Sequence, residues 1–145
     1  SLLGTRLDSD EAAYRLAVCW FDPRDAAFDA LTPQGLMQAL QPRYPMLDTA
    51  AWQRHLRGLD LEQHLQKKLY MLSTGSRRKA GLAVVLSAGC ALTLLDEPTG
   101  GLDAPSLAYL EDALTEAAQH PQRATVLVCS RGLEALPLAG TIRLD

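Results

Sequence analysis

The stretch "TLLDEPTGGLD", residues 93–103, ends an apolar run with two adjacent acids, Asp96 and Glu97, and continues into a proline and a glycine-rich turn. The apolar run that precedes the acids, "CALTLL", predicts a strand inside a parallel sheet covered on both faces. Ligands of α/β proteins bind at the carboxyl ends of such strands. One acid there can hold Mg²⁺, and a second can orient or deprotonate an attacking water. The alternative is that "DEP" only ends a strand and begins a turn.

Residues on either side of this stretch predict further parts of the same sheet. "ATVLVC" (124–129) is a second apolar run, and residues 105–119 between the two have helical periodicity. "RLAVCWF" (15–21) predicts a buried strand upstream, and "GTIRLD" (140–145) a short final strand. Alternating strands and helices favour an α/β fold with a parallel sheet and right-handed crossovers.

The middle of the chain predicts helices. A Thr-Pro pair at 32–33 suits a helix cap followed by proline in the first turn. Asp48 can cap a helix that Gly58 ends, and Asp60 can cap a helix over 61–69, where leucine recurs every fourth residue.

A second candidate site is "LSTGS" (72–76), which lies just before a helix of small residues that reaches about Ser87. The Ser73 hydroxyl and the N–H groups around Gly75 predict an anion-binding nest at a helix N-terminus. The alternative is an ordinary serine cap. Asp103, in "GGLD", adds one more carboxylate after the paired acids.

Composition limits the kind of protein. The chain has 145 residues, 48% hydrophobic and 21% charged, with a net charge of −3, which argues against a general nucleic-acid binder. Each of its three cysteines lies in an apolar run, which predicts small buried side chains and a reducing compartment. The sequence shows neither a secretory signal nor an apolar stretch long enough for a membrane-spanning helix.

Two longer stretches, "LSTGSRRKAGLAVVL" and "ALTLLDEPTGGLD", resemble the second half of an ATP-binding-cassette (ABC) ATPase domain. "LSTGS" is similar to the LSGGQ signature, "LTLLDE" to the Walker B strand and "GGLD" to the D-loop. The resemblance implies a P-loop NTPase-like parallel sheet with an inserted helical subdomain, incomplete at its N-terminus. Residues 1–24 and 90–145 would belong to the RecA-like core, and residues 25–89 to the helical subdomain with the signature.

The resemblance also implies roles for individual residues. Asp96 would help to hold Mg²⁺, and Glu97 would polarise the attacking water. Ser73, Thr74 and Gly75 would form the segment that contacts the γ-phosphate of ATP held by a partner. The remaining candidate for the cofactor site, Asp103, would lie at the interface between two subunits.

The implied partners are a second ABC ATPase subunit, bound head to tail, and an integral membrane permease, with no nucleic acid. The implied location is the cytoplasm, peripheral at the inner face of the cell membrane. Two other functions stay open. One is a degenerate, non-hydrolysing ABC module that pairs with an active partner, and the other is an ABC protein outside transport.

Three departures from the family pattern bear on activity. A Walker A loop ends in Lys-Ser or Lys-Thr, and none of the lysines, at positions 67, 68 and 79, precedes such a residue. We therefore expect that the chain starts after that loop, that "SLLGTRL" is the strand following it, that the chain alone is inactive, and that apolar sheet surface is exposed.

The second departure follows the "AVCW" segment, where Phe21 or Asp22 stands in place of the family's glutamine.

The third departure is Arg131, which stands where the family has histidine. Arginine only donates hydrogen bonds and stays charged. As a catalytic residue it would stabilise transition-state charge as an arginine finger does. The alternative is a solvated loop arginine in a domain that hydrolyses ATP slowly or not at all.

The other polar and aromatic candidates are predicted to be structural. The three histidines, at 55, 64 and 120, are predicted to lie at the surface rather than to bind a metal. The basic triplet at 77–79 is predicted to decorate a solvated helix face. Trp20 and Trp52 are predicted to pack rather than to stack on bases.

Overall fold

The structure is a computed structural model that describes residues 2–131, 133 and 135–144. Its α-helices and strands, in chain order, are α1 (Glu11–Ala17), β1 (Val18–Cys19), α2 (Pro33–Leu40), α3 (Thr49–Gly58), α4 (Thr74–Ser87), β2 (Leu92–Asp96), α5 (Ala104–Ala118) and β3 (Ala124–Val128). The strands form a parallel sheet in the order β1, β2, β3. The predicted α/β fold with a parallel sheet is therefore confirmed.

One face of the sheet carries the core. Cys19 pairs with Thr93 and Leu95 with Leu127, so these four side chains share a face. Cys19 and Leu95 belong to the buried cluster that α4 and α5 complete, for example with Val84 and Leu110. The helices therefore cover this face.

The opposite face is open among the described residues. Trp20, Leu94, Val126 and Val128 line a shallow depression of about 300 Å³. The two valines are 49% and 51% exposed. The expectation that "CALTLL" lies in a sheet covered on both faces is thus wrong for the described part of the chain, whereas the expected exposure of apolar sheet surface is observed.

Helices α2 and α3 begin where the sequence predicts. Thr32 Oγ1 accepts the N–H of Gly35 at 3.1 Å, and Asp48 Oδ1 accepts the N–H of Ala50 at 2.9 Å. Each oxygen satisfies a first-turn N–H that has no partner within the helix. Trp52 of α3 is buried in the core, as predicted.

The predicted strand at residues 15–21 is wrong in its first part. Residues 15–17 are the end of α1, and β1 contains only Val18 and Cys19. Asp10 caps α1, and its carboxylate accepts the N–H of Ala13 at 3.0 Å. Good helix formers follow this cap, and their local preference determines the structure of the segment until the chain reaches the sheet.

The predicted helix over residues 61–69 is also wrong. Asp60 has a φ of 55°, in the left-handed region, whereas a helix N-cap has extended backbone. The segment forms two single-turn 3₁₀ helices, Glu62–His64 and Leu69–Met71. Leu61 and Leu69 are nevertheless fully buried, so the leucine spacing reports burial and not an α-helix.

Neither terminal segment forms the predicted strand. Residues 140–144 have no regular structure, and Ile142 and Leu144 are each 87% exposed. Leu2 and Thr5 close a short turn by an isolated bridge, so "SLLGTRL" is not a strand in its described part. Ser1 and Asp145 lie outside the described residues. Within the described ranges, every helix is too short or too polar to cross a membrane.

Candidate functional site

The paired acids lie at the carboxyl end of β2. Asp96 is the last residue of the strand and is exposed, and the half-buried Glu97 follows it. Glu97 has a φ of 45°, a region that residues other than glycine rarely adopt. Its N–H donates to Val128 O at 2.7 Å, and its Oε1 accepts the N–H of Ser130 at 2.6 Å. Two hydrogen bonds to the end of β3 therefore hold an uncommon backbone conformation at the predicted catalytic acid.

The donor set at this edge fits a magnesium ion bound together with phosphate. Mg²⁺ keeps several waters and takes one or two protein carboxylates in such sites, and the exposed Asp96 supplies one. The described residues contain no group of three or more acids, histidines and cysteines able to hold a metal by themselves. Asp96 would therefore hold the ion jointly with a bound nucleotide.

The predicted anion nest is the start of α4. Ser73 is the N-cap, and its Oγ accepts the N–H of Ser76 at 3.1 Å. Thr74 and Gly75 are the first two residues of the helix, where N–H groups have no partner within the helix and the dipole is positive. Ser73 and Thr74 are exposed. The serine cap is therefore confirmed, and anion binding by the exposed N–H groups beside it stays a prediction.

The glycine turn after β2 packs directly against this helix start. A Cβ on Gly75 would lie 2.2 Å from the carbonyl oxygen of Gly101, which itself has a φ of 74°. Arg78 donates to the Gly100 carbonyl. Glycine is therefore required at Gly75 by close approach and at Gly101 by backbone conformation.

Asp103 lies at the end of this turn, and both of its carboxylate oxygens accept hydrogen bonds. Oδ1 accepts the N–H of Ser106 at 2.9 Å and so caps α5, and Oδ2 accepts from Lys79 Nζ at 2.9 Å. The hydrogen bond to Ser106, followed by the one to Lys79, lowers the pKa of Asp103 to about 2. The resemblance implied a place for Asp103 at a subunit interface, which stays a prediction, and the structure shows two contacts within the chain.

The prediction that the basic triplet decorates a solvated helix face is wrong. Arg77 donates to Pro23 O and Asp25 O and pairs with Asp29, Arg78 reaches Gly100, and Lys79 reaches Asp103. Lys79 is only 6% exposed. Three consecutive side chains thus bind two separate segments, residues 23–29 and the turn at 100–103. Every residue of α4 from Lys79 to Val85 is buried, so helical spacing distinguishes no solvated face there and gave no signal of this contact.

One histidine also departs from its prediction. His55 of α3 is 7% exposed, and its Nδ1 lies 2.8 Å from the hydroxyl oxygen of Tyr109 of α5. Burial lowers the pKa of His55 to about 4, and the neighbouring Arg54 contributes in the same direction. His120 is exposed as predicted, and His64 is half-buried. These positions bring no group of metal ligands together within the part of the chain described.

Of the other two departures from the family pattern, Phe21 is a packing residue and Arg131 lies at the surface. Phe21 packs against Gly81, where a Cβ would lie 2.0 Å from the Phe21 ring, and its ring centroid is 5.7 Å from that of Phe28. Arg131 is exposed, one residue after the Ser130 amide that binds Glu97. Trp20 is 49% exposed, so it packs less than predicted.

The cysteines fit their prediction in part. Cys19 and Cys90 are buried, and Cys129 is half-buried. All three are free thiols. They therefore serve as small apolar side chains in and beside the core.

The family model and the known proteins that match this chain indicate the same family. A family model described as "ABC transporter" matches residues 9–100. The chain is 30% identical over 143 residues to ATP-binding cassette sub-family A member 17 of Mus musculus, covering 94% of this chain and 8% of that protein. It is 32% identical over 125 residues to the cytochrome c biogenesis ATP-binding export protein CcmA of Rhodospirillum rubrum, covering 77% of this chain and 52% of that protein. The chain thus spans about half or less of the length of these relatives.

Solved structures share the fold. The chain superposes with a TM-score of 0.75 and 22% identity on a structure described as the ATP binding subunit of an ABC transporter, covering 89% of this chain and 55% of that one. A second, described as a putative cobalt transport ATP-binding protein, gives a TM-score of 0.65 at 20% identity and covers 82% of this chain and 43% of that one.

Proposed function

The chain belongs to the ABC transporter family, as the match over residues 9–100 shows, and we propose that it forms part of an ATPase subunit that powers an integral membrane permease. One observation carries the proposal. The anion-accepting start of α4 and the acid end of β2 are tied together by the contact of Gly75 with Gly101 and by the Lys79–Asp103 pair.

In the proposed site Asp96 would hold Mg²⁺, whose charge would stabilise the phosphate oxygens of ATP. Glu97 orients the attacking water and accepts its proton, with its carboxylate aligned by the Ser130 N–H. Ser73, Thr74 and Gly75 bind the γ-phosphate of ATP held by the partner subunit, through the exposed helix start. Arg131, exposed beside Ser130, is the candidate for stabilising transition-state charge.

The proposed assembly is a head-to-tail pair of ABC ATPase subunits on a permease, at the cytoplasmic face of the cell membrane. The names of several relatives support it, since they are ATP-binding proteins of export, import and lipoprotein-releasing systems. We assign residues 1–24 and 90–145 to the ATPase core and 25–89 to the helical subdomain. We expect the chain alone to be inactive, because the sequence contains no Lys-Ser or Lys-Thr phosphate loop.

The test is ATP turnover by the complete transporter assembly with Glu97→Gln. Loss of the proton acceptor should lower kcat about 100-fold with nucleotide binding retained. Glu62→Gln, at an exposed acid in a single-turn helix, is the matched control and should hydrolyse ATP at the original rate. An unchanged rate in the Glu97→Gln assembly would contradict the proposal.

A second candidate function is a non-hydrolysing ABC module that only pairs with an active subunit. Phe21 favours it, because this side chain is committed to packing on Gly81 at the position where the family has glutamine. The same Glu97→Gln measurement decides between the two, since a module that does not hydrolyse ATP loses nothing by the change.

A further inference from the structure

Lys79 is a buried cation at a position that suits an apolar side chain. It is 6% exposed and lies on the face of α4 that carries Leu82 and Ala83 into the core. Removing an ammonium group from water is costly unless a partner compensates. The partner here is Asp103 Oδ2, 2.9 Å from Nζ, with a side chain that is 58% exposed. Because Lys79 is buried, loss of this exposed partner would leave an uncompensated charge, so the pair specifies where Asp103 lies.

The arrangement it specifies is that of the loop from Glu97 to Asp103. Glu97 is bound to the end of β3 by the Val128 carbonyl and the Ser130 N–H. The middle of the loop lies against the first turn of α4 at Gly75. Asp103 ends the loop as the cap of α5. Lys79 is the only side chain of α4 among the described residues that forms an ion pair with this loop.

We propose that Lys79 is a positioning residue for the ATPase site. By holding Asp103, it keeps the Glu97–Asp103 loop in a constant position relative to the start of α4. The phosphate-contacting helix end and the catalytic acid then move as one body. Lys79 contacts neither nucleotide nor metal in this proposal, which rests on the proposed function and acts through Asp103 alone.

The first experiment requires no nucleotide. Amide hydrogen exchange is compared between the unmodified chain and Lys79→Met, which keeps the unbranched apolar stem of the side chain without its ammonium group. Exchange should become roughly tenfold faster at residues 100–106 and in the first turn of α4, with β3 unchanged, because a charge-assisted hydrogen bond is lost. Lys67→Met, at an exposed lysine, is the control and should change nothing.

The second experiment measures ATP turnover in the complete assembly. Lys79→Met should lower kcat about tenfold with KM unchanged, because positioning and not binding is lost. Asp103→Asn keeps a helix cap but removes the charge, so it should have a similar effect. The double variant should be no worse than either single variant, since both act through one pair.

The outcomes distinguish the positioning role of Lys79 from the proposed ATPase function. Faster loop exchange with an unchanged kcat overturns the positioning role and leaves the ATPase function intact. Additive effects of the two substitutions also overturn it. An unmodified assembly that hydrolyses no ATP contradicts the proposed function, and the exchange experiment then decides alone. In that case, faster amide exchange in Lys79→Met that is limited to residues 100–106 and the first turn of α4 supports the claim that Lys79 positions the loop. Unchanged exchange there refutes that claim.

Discussion

The Nδ1 atom of His55 lies 2.8 Å from the hydroxyl oxygen of Tyr109, and this contact joins α3 to α5. Tyr109 also donates to the Arg54 carbonyl at 3.4 Å. The two rings meet edge to face, with centroids 5.9 Å apart. The segment between β1 and β2 is thereby attached to the helix that follows β2.

This contact predicts loss of stability in mild acid. The pKa of His55 is about 4 in the folded chain against an ordinary value of 6.5. The unfolded chain therefore binds a proton below pH 6.5 that the folded chain does not bind until about pH 4, so stability falls with pH in that window. From pH 7 to pH 5 the free energy of unfolding should fall by about 2 kcal/mol from this group.

Urea unfolding at a series of pH values checks this prediction. His55→Phe should remove most of the pH dependence in that window, whereas His120→Gln, at an exposed histidine, should keep it. Equal pH slopes for the unmodified protein and His55→Phe would contradict it.

Gly58→Ala should destabilise the protein even though alanine favours helices. A Cβ at Gly58 would lie 2.0 Å from the Tyr109 ring. The ring must move, at a cost of about 1–3 kcal/mol, which exceeds the gain of about 1 kcal/mol in helix propensity. Gly35→Ala in α2 is the control, because its nearest neighbour is 3.4 Å away. Thermal unfolding should show a lower Tm for Gly58→Ala only, and a higher Tm would refute the packing argument.

Gly75→Ala should separate the turn after β2 from the start of α4. The new Cβ would lie 2.2 Å from a backbone oxygen, Gly101 O, which cannot move without the turn. We expect about 1–3 kcal/mol of destabilisation and faster amide exchange around Gly101. Gly140→Ala, where nothing lies within 4 Å, should leave both unchanged. Normal exchange of the turn in Gly75→Ala would show that the close approach is unimportant.

Arg77→Gln should release the segment after β1 from α4. Arg77 binds the carbonyls of Pro23 and Asp25 and the carboxylate of Asp29, and its side chain is 16% exposed. Losing these contacts should cost about 1–3 kcal/mol in unfolding free energy. Arg77→Lys should restore little of it, because one ammonium group cannot match the guanidinium fork. Arg57→Gln, at an exposed arginine, provides the baseline in urea unfolding, and a loss of the same size there would contradict the prediction.

Local signals in the sequence were sufficient for much of the fold. The caps at Thr32, Asp48 and Ser73 satisfy first-turn N–H groups with side chains a few residues away, so neighbouring residues determine them. The apolar runs that become β2 and β3 were likewise predicted. The error at 15–17 arose because the Asp10 cap and the helix formers after it outweigh the apolar pattern. The error at 61–69 arose because buried leucines at that spacing suit several backbone conformations, and packing selected one of them.

The sequence by itself determined the starts of α2, α3 and α4, the alternation of β2, α5 and β3, the places of the paired acids and the serine-glycine turn along these elements, and the family. Only the tertiary structure decided that the triplet at 77–79 binds two separate loops, that His55 is buried against Tyr109, and that Asp103 holds Lys79. Caps and periodicity act between residues a few positions apart, whereas these contacts join residues 22 to 54 positions apart. Such contacts depend on how the helices pack on the sheet, which local spacing does not encode.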